Sequence, residues 1–96
     1  MTKLVEKICY KNLMGADSVR YFFKDCSRYF VVDYVPEAFD THKPEAMAFA
    51  ANEGGSIEDW NELAVSYKDD PTEACVECLV KMYEDGVISS LVIGNL

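Results

Sequence analysis

The sequence has little of several features that define common protein classes. His42 is the one histidine among 96 residues, and every apolar run is far shorter than the roughly 18–20 residues that cross a bilayer. The charged start, Met1 to Lys7, lacks the apolar stretch of a signal peptide. Neither a membrane-spanning nor an exported protein is expected, and we expect a cytoplasmic protein whose four cysteines are reduced.

Basic residues are scarce over most of the chain. The formal net charge is −8, from 9 basic and 17 acidic residues. Residues 1–32 hold six basic and three acidic side chains, residues 33–85 hold three basic and fourteen acidic ones, and the last eleven residues hold none. Because phosphate contacts require Lys and Arg, direct nucleic-acid binding is not expected. The charge favours a protein or ribonucleoprotein partner with a basic surface.

The length and composition indicate one compact unit. Ninety-six residues, half of them hydrophobic and 12% aromatic, are enough for one packed core and too few for two domains. We therefore predict a single small α+β domain spanning residues 1–96.

The first segment carries a helical pattern. Between Thr2 and Met14 the lysines at 3, 7 and 11 lie on one side, and the apolar residues recur at helical spacing: Leu4, Val5, Ile8, Cys9 and Leu13. This predicts a short N-terminal helix that Gly15 ends, with a strand as the alternative.

The middle of the chain carries strand and turn signals. Ser18–Lys24 and Tyr29–Val35 are rich in β-branched and aromatic residues and predict a hairpin. Glu45–Ala51 predicts a third strand or an alanine-rich helical turn, and Asn52–Ser56 has the composition of a turn. Ile57–Tyr67 predicts short strand pieces around a turn at residues 59–62.

The last third predicts a helix and a closing strand. Asp70 is a candidate cap, Pro71 suits the first helical position, and Gly86 suits the stop after a helix of about residues 70–85. Val87–Ile93 is apolar and predicts a strand. The fold expected is α+β, an antiparallel sheet of three to five strands with the N-terminal and late helices packed on one face.

Cys75 and Cys78 form the motif most suggestive of chemistry. A CxxC pair can supply half of a zinc site or a redox pair. The remaining ligands would have to come from Cys9, Cys26 or His42, which are scattered singly, and Glu73 and Glu77 disfavour a thiolate. We interpret Cys75 and Cys78 as core residues and predict no catalytic residue, metal or cofactor.

Acidic residues cluster in the second half and surround the one tryptophan. Adjacent acids in turns usually face water, but fourteen acids against three bases must produce a negative surface. Such a surface either imitates a nucleic-acid backbone or keeps the protein soluble. The predicted partner-binding residues combine this charge with an aromatic anchor: Glu53, Glu58, Asp59, Trp60, Glu62, Asp69 and Asp70.

Three sequence segments followed by a helix carry a resemblance. Glu45-Ala46-Met47-Ala48-Phe49, Asn52-Glu53-Gly54 and Asp59-Trp60-Asn61-Glu62-Leu63 precede the late helix. In this order the chain resembles small uncharacterised acidic proteins encoded by bacteriophages and prophages. The resemblance covers about half of the chain and implies a host-directed accessory protein in the cytoplasm of the host cell.

The chain is also similar in type to anti-CRISPR proteins, which bind a CRISPR effector and block nucleic-acid recognition. That similarity implies an inhibitor whose acidic surface meets the basic channel of the effector. Two alternatives stay open: a small self-associating structural or interaction domain, and a binding module stabilised by Cys-ligated zinc.

Overall fold

The described part of the chain folds into one antiparallel sheet and one helix. The computed structural model describes residues 2–38, 41–91 and 96. The elements follow in the order β1 Thr2–Lys11, β2 Asp17–Asp25, β3 Arg28–Val35, β4 Glu45–Ala51, β5 Ile57–Ser66 and α1 Pro71–Glu84. The five strands lie in the sheet in sequence order, so β1 and β5 form its edges. The predicted antiparallel sheet, the β2–β3 hairpin and the late helix are confirmed.

The predicted N-terminal helix is wrong, because residues 2–11 form strand β1. Leu4 pairs with Phe23 and Glu6 pairs with Phe22, which leaves Val5 as an extra residue in a β-bulge. The bulge shifts the alternation of side chains between the two faces of the sheet. Apolar residues therefore recur at a spacing that imitates a helix, while pairing with β2 decides the structure.

Local signals fix both ends of α1. The Asp70 carboxylate accepts a hydrogen bond from the Glu73 amide at 2.9 Å. Pro71 occupies the first turn, where a backbone N–H would have no partner within the helix, so its lack of one does not destabilise α1. Gly86 follows the helix with a φ of +75°, a conformation that glycine adopts without strain. Within residues 2–38, 41–91 and 96, no helix has the length and apolar character needed to span a membrane.

One face of the sheet forms the main core with α1. The helix packs against β3, β4 and β5, and its buried stripe includes Leu79 and Met82. The sheet contributes large side chains from its centre and small ones opposite the helix: Tyr21, Phe23, Phe30, Val32, Tyr34, Ala46, Ala48 and Ala64. Alanine on β4 lets the helix approach the sheet closely.

The other face carries a smaller apolar cluster that contains no helix residue. Its buried members are Phe22, Val31, Phe49 and Ala51, and Tyr29, Met47 and Ile57 pack against them. The Phe22 ring stacks on Tyr29 with the ring centroids 5.6 Å apart. On the β5 side, the Trp60 ring lies against its member Phe49.

The chain after α1 does not form the predicted closing strand over residues 87–91; residues 92 and 93 lie outside the described part. Hydrogen bonds to other elements hold this segment instead. The Ser89 amide and hydroxyl donate to the Asp25 carboxylate at 2.8 and 2.6 Å. The Thr2 amide donates to the Ser90 hydroxyl at 2.8 Å, and the Arg28 guanidinium donates to the Val87 carbonyl. These bonds tie the segment to β1 and to the β2–β3 turn.

Candidate functional site

The edge strand β5 is irregular over its first half. Ala48 pairs with Ala64 and Ala50 pairs with Asp59, so one residue of β4 faces residues 60–63 of β5. Ala51 then pairs with Ile57, which leaves Glu58 as a second extra residue. Bulges of this kind bend an edge strand and redirect its side chains, and they concentrate near functional sites. We call residues 57–62 the bulged edge.

The turn before the bulged edge is held by one asparagine. The Asn52 carboxamide oxygen accepts hydrogen bonds from the amides of Gly54 at 2.9 Å and Ser56 at 3.1 Å. Gly55 has a φ of +88° and lies against the Phe22 ring, so a side chain there would be strained. This turn leaves Glu53 exposed at its tip.

Trp60 is the large exposed aromatic residue of the bulged edge. Its side chain is 72% exposed, and its ring lies tilted against Phe49 with the centroids 5.4 Å apart. Phe49 itself is buried. The tryptophan is therefore supported on one side by the smaller apolar cluster while most of its surface remains open to a partner.

Exposed carboxylates flank Trp60. Glu58, Asp59 and Glu62 are all exposed, and the Asp59 carboxylate accepts a hydrogen bond from the Asn61 amide at 2.9 Å, which supports the bend. Across the part of the chain that the structure describes, the carboxylates of Glu53, Glu58 and Glu62 have no hydrogen bond or ion pair. They are available to positively charged groups of another molecule.

Asp69 and Asp70 lie beyond the opposite end of β5. The pairs Ala46–Ser66 and Ala51–Ile57 are separated by five residue steps along β4, or about 17 Å. Asp70 caps α1, and the Asp69 carbonyl accepts a hydrogen bond from the Tyr34 hydroxyl. The structure thus places five of the predicted residues together near the bulged edge and assigns Asp70 a structural role at the helix.

The second half of the β5 edge is occupied by α1. The Lys81 ammonium donates a hydrogen bond to the Val65 carbonyl and forms an ion pair with Glu77 at 3.5 Å. A lysine placed along a strand edge blocks the pairing of another strand there. Within the bulged edge, by contrast, residues 58–62 are all exposed.

Cys75 and Cys78 lie in the main core on the inner side of α1, and both are fully buried. Burial raises the pKa of the Cys75 thiol far above its ordinary value and raises the pKa of the Cys78 thiol to about 12. The Cys78 thiol donates to the Ala46 carbonyl at 3.7 Å. Neither thiol is set up as a nucleophile, since the reactive form is the thiolate. Among the described residues, no three His, Cys, Asp or Glu side chains are grouped to hold a metal ion.

A polar network on the opposite side of the sheet has no signal in the sequence. The Tyr10 hydroxyl donates to Asp33 at 2.7 Å, and the Arg20 guanidinium donates to the same carboxylate at 3.1 Å. Burial and the hydrogen bond to Asp33 raise the pKa of Tyr10 to about 12. The network links β1, β2 and β3 through the Asp33 carboxylate, while the Arg20 Nε is buried without a hydrogen-bond partner among the described residues.

Two contributors to the candidate site were not identified from the sequence. Phe49 supports Trp60 from behind, and the bulges turn Glu58 and Glu62 outward. The alternation of Met47 and Phe49 along β4 indicated that Phe49 faces the same side as Met47. Nothing in the local sequence indicated the bulges.

The chain was compared with protein-family models, with curated proteins and with solved structures, and no match was found. The candidate site therefore rests on the geometry of the chain itself: a bulged, acidic strand edge with one exposed tryptophan.

Proposed function

We propose that the protein works by binding another macromolecule, without a catalytic step, and that the bulged edge docks on a basic groove of the partner. The observation that carries the proposal is Trp60, exposed and flanked by the unpaired carboxylates of Glu58 and Glu62. An aromatic anchor surrounded by charge is the composition of a binding hot spot.

The distribution of charge supports a basic partner. Strand β5 carries Glu58, Asp59 and Glu62 and no basic residue, whereas the opposite edge strand β1 carries three lysines and one glutamate. The field of the molecule is therefore directional, with its negative end at β5 and α1. Such a field steers a positively charged groove toward the bulged edge and accelerates association at low salt.

The partner proposed is a nucleic-acid-binding protein or ribonucleoprotein of the host cell, with a CRISPR effector as the most specific candidate. Carboxylates spaced along a strand edge resemble in charge the phosphates that such a groove binds. The resemblance to phage-encoded acidic proteins supports this choice of partner and a site of action in the host cytoplasm. The proposed effect is inhibition, because the protein and the nucleic acid would compete for one groove.

The test is a pull-down with the tagged protein from bacterial lysate, with and without an expressed CRISPR effector. We expect a nucleic-acid-binding complex to be retained at low salt and released by added DNA or by raised salt. Capture that is insensitive to both DNA and salt would contradict the proposal.

Two double charge-reversal variants test whether the partner contacts the bulged edge. Glu58→Lys with Glu62→Lys should abolish capture, while Glu84→Lys with Asp85→Lys, at the end of α1, changes the net charge equally and should leave capture nearly intact. Asp59 is left unchanged because its carboxylate supports the bend. Circular dichroism verifies that both variants fold, and equal loss in the two variants would show that net charge, and not the bulged edge, governs binding.

A further inference from the structure

A cleft opens beside the bulged edge, on the face of the sheet that packs against α1. Its volume is about 450 Å³, within the roughly 300–1,000 Å³ typical of ligand pockets. It lies between the β2–β3 turn, the β4–β5 turn and Val87 in the segment after α1.

The floor of the cleft is apolar. Phe30 and Ala50 come from the paired strands β3 and β4, and Leu63 comes from the larger bulge of β5. Phe30 is almost fully buried and Leu63 is half-buried. A hydrocarbon chain of a few methylene groups would lose water against this floor.

The rim of the cleft is charged on two sides. Glu53 and Glu58 lie on the side of the β4–β5 turn, and their carboxylates have no partner among the described residues. Arg28 lies on the other side, where its guanidinium donates to the Val87 carbonyl and lies 5.4 Å from the Phe30 ring centroid. Two carboxylates and one guanidinium give the rim a formal charge of −1.

We propose that this cleft receives one arginine side chain of the partner, with the guanidinium at Glu53 and Glu58 and the methylene stem on the apolar floor. The inference rests on the proposed function and specifies the group that the acidic site recognises. Arginine fits better than lysine, because its planar fork can donate to two carboxylates and because it is less strongly hydrated.

The probe for the test is the blocked peptide acetyl-Gly-Gly-Arg-Gly-Gly-amide, with the lysine peptide of the same length as its comparison. Because the peptide has only one basic side chain, its general attraction to the acidic surface is weak, and binding in the cleft can be measured separately. In a ¹⁵N–¹H NMR titration we expect saturable shifts at the amides of Ala50, Asn52 and Leu63, with the arginine peptide binding more tightly than the lysine peptide.

A matched pair of variants identifies the carboxylate. Glu58→Gln should weaken the binding of the arginine peptide about threefold or more, whereas Glu62→Gln, an equal change of charge outside the cleft, should weaken it by less than about 1.5-fold. Absence of saturable shifts would overturn the inference. An equal effect of the two variants would overturn it too, because attraction would then be general to the acidic edge.

The two proposals fail in different experiments. If Glu58→Lys with Glu62→Lys releases the captured partner but the peptide does not bind, the acidic edge still binds the partner and the arginine cleft is wrong. If the peptide binds in the cleft but the reversal does not affect capture, the cleft binds arginine and the proposed docking of the bulged edge is wrong.

Discussion

The two faces of the sheet differ in what covers them. On one face α1 buries the largest continuous group of side chains, and Leu79 and Met82 reach the centre of that core. On the other face a smaller cluster is buried without any residue of α1, and its member Phe49 lies against Trp60, which is mostly exposed. The comparison separates residues that hold the fold together from residues that are available to a partner.

The difference follows from two kinds of contact with β5. The second half of the strand lies beside α1, whose Lys81 satisfies the Val65 carbonyl. In the first half, residues 58–62 are exposed and the strand departs from regular pairing at two places. We therefore expect changes under the helix to affect unfolding, and changes at the bulged edge to affect binding with little effect on unfolding.

The largest expected effect on stability is that of Leu79→Ala. Leu79 is 1% exposed, and truncation of a buried leucine leaves a cavity that costs about 2–5 kcal/mol. Trp60→Ala removes a larger side chain from the bulged edge but should lower the free energy of unfolding by about 1 kcal/mol or less. Urea denaturation followed by circular dichroism measures both values.

Val80→Ala serves as the control for the helix, since Val80 is half-buried on the same element and should cost less than Leu79→Ala. If Trp60→Ala destabilises as much as Leu79→Ala, the division of roles between the two faces is wrong.

An intermediate effect is expected at Asp25, which joins the β2–β3 turn to the segment after α1. Burial alone would favour the neutral acid, but the hydrogen bonds from Ser89 outweigh it and lower the pKa of Asp25 from 3.8 to about 2. The stability that ionised Asp25 contributes is therefore fully present above about pH 4 and is lost as the pH falls through about 2. Asp25→Asn should cost about 1–2 kcal/mol at pH 7.

The pH dependence provides the check on Asp25. The difference in free energy of unfolding between the natural protein and Asp25→Asn should shrink as the pH is lowered from 5 toward 2. A difference that stays constant over this range would mean that the charge of Asp25 does not support the fold.

The smallest expected effect is a stabilisation at the β2–β3 turn. Cys26 has a φ of +57°, a left-handed conformation that costs a residue with a side chain about 1 kcal/mol. Cys26→Gly should therefore raise the free energy of unfolding by about 0.5–1 kcal/mol. Thermal denaturation compares it with Ser27→Gly, a neighbouring change at a position without a left-handed φ, which should give no gain.

Much of the fold was predictable where local signals and long-range pairing agree. Asp70, Pro71 and Gly86 mark the ends of α1, and Glu45–Ala51 forms a strand with the predicted bounds. The N-terminal helix was wrong because the bulge at Val5 breaks the two-residue alternation that identifies a strand. The closing strand over residues 87–91 was wrong because the hydrogen bond that Ser89 donates to Asp25 and the one that Ser90 accepts from Thr2 replace a regular ladder.

The sequence indicated candidate binding residues, which stay a prediction, but it did not indicate their arrangement. The concentration of acids around Trp60 is visible in the sequence, and it identified Glu58 and Glu62. The same reasoning grouped Asp69 and Asp70 with them, although these residues lie at the other end of β5 and Asp70 caps the helix. Distance along the chain does not reveal distance across a bulged sheet.

The sequence by itself determined the charge asymmetry, the caps of α1 and the apolar alternation of β2 and β3, because each depends on residues that are neighbours along the chain. Only the tertiary structure decided that residues 2–11 form a strand, that Trp60 lies against Phe49, and that an apolar cleft opens beside Glu53 and Glu58. These features depend on which strands pair and where the register shifts, and the free energy of such pairing comes from residues far apart in sequence.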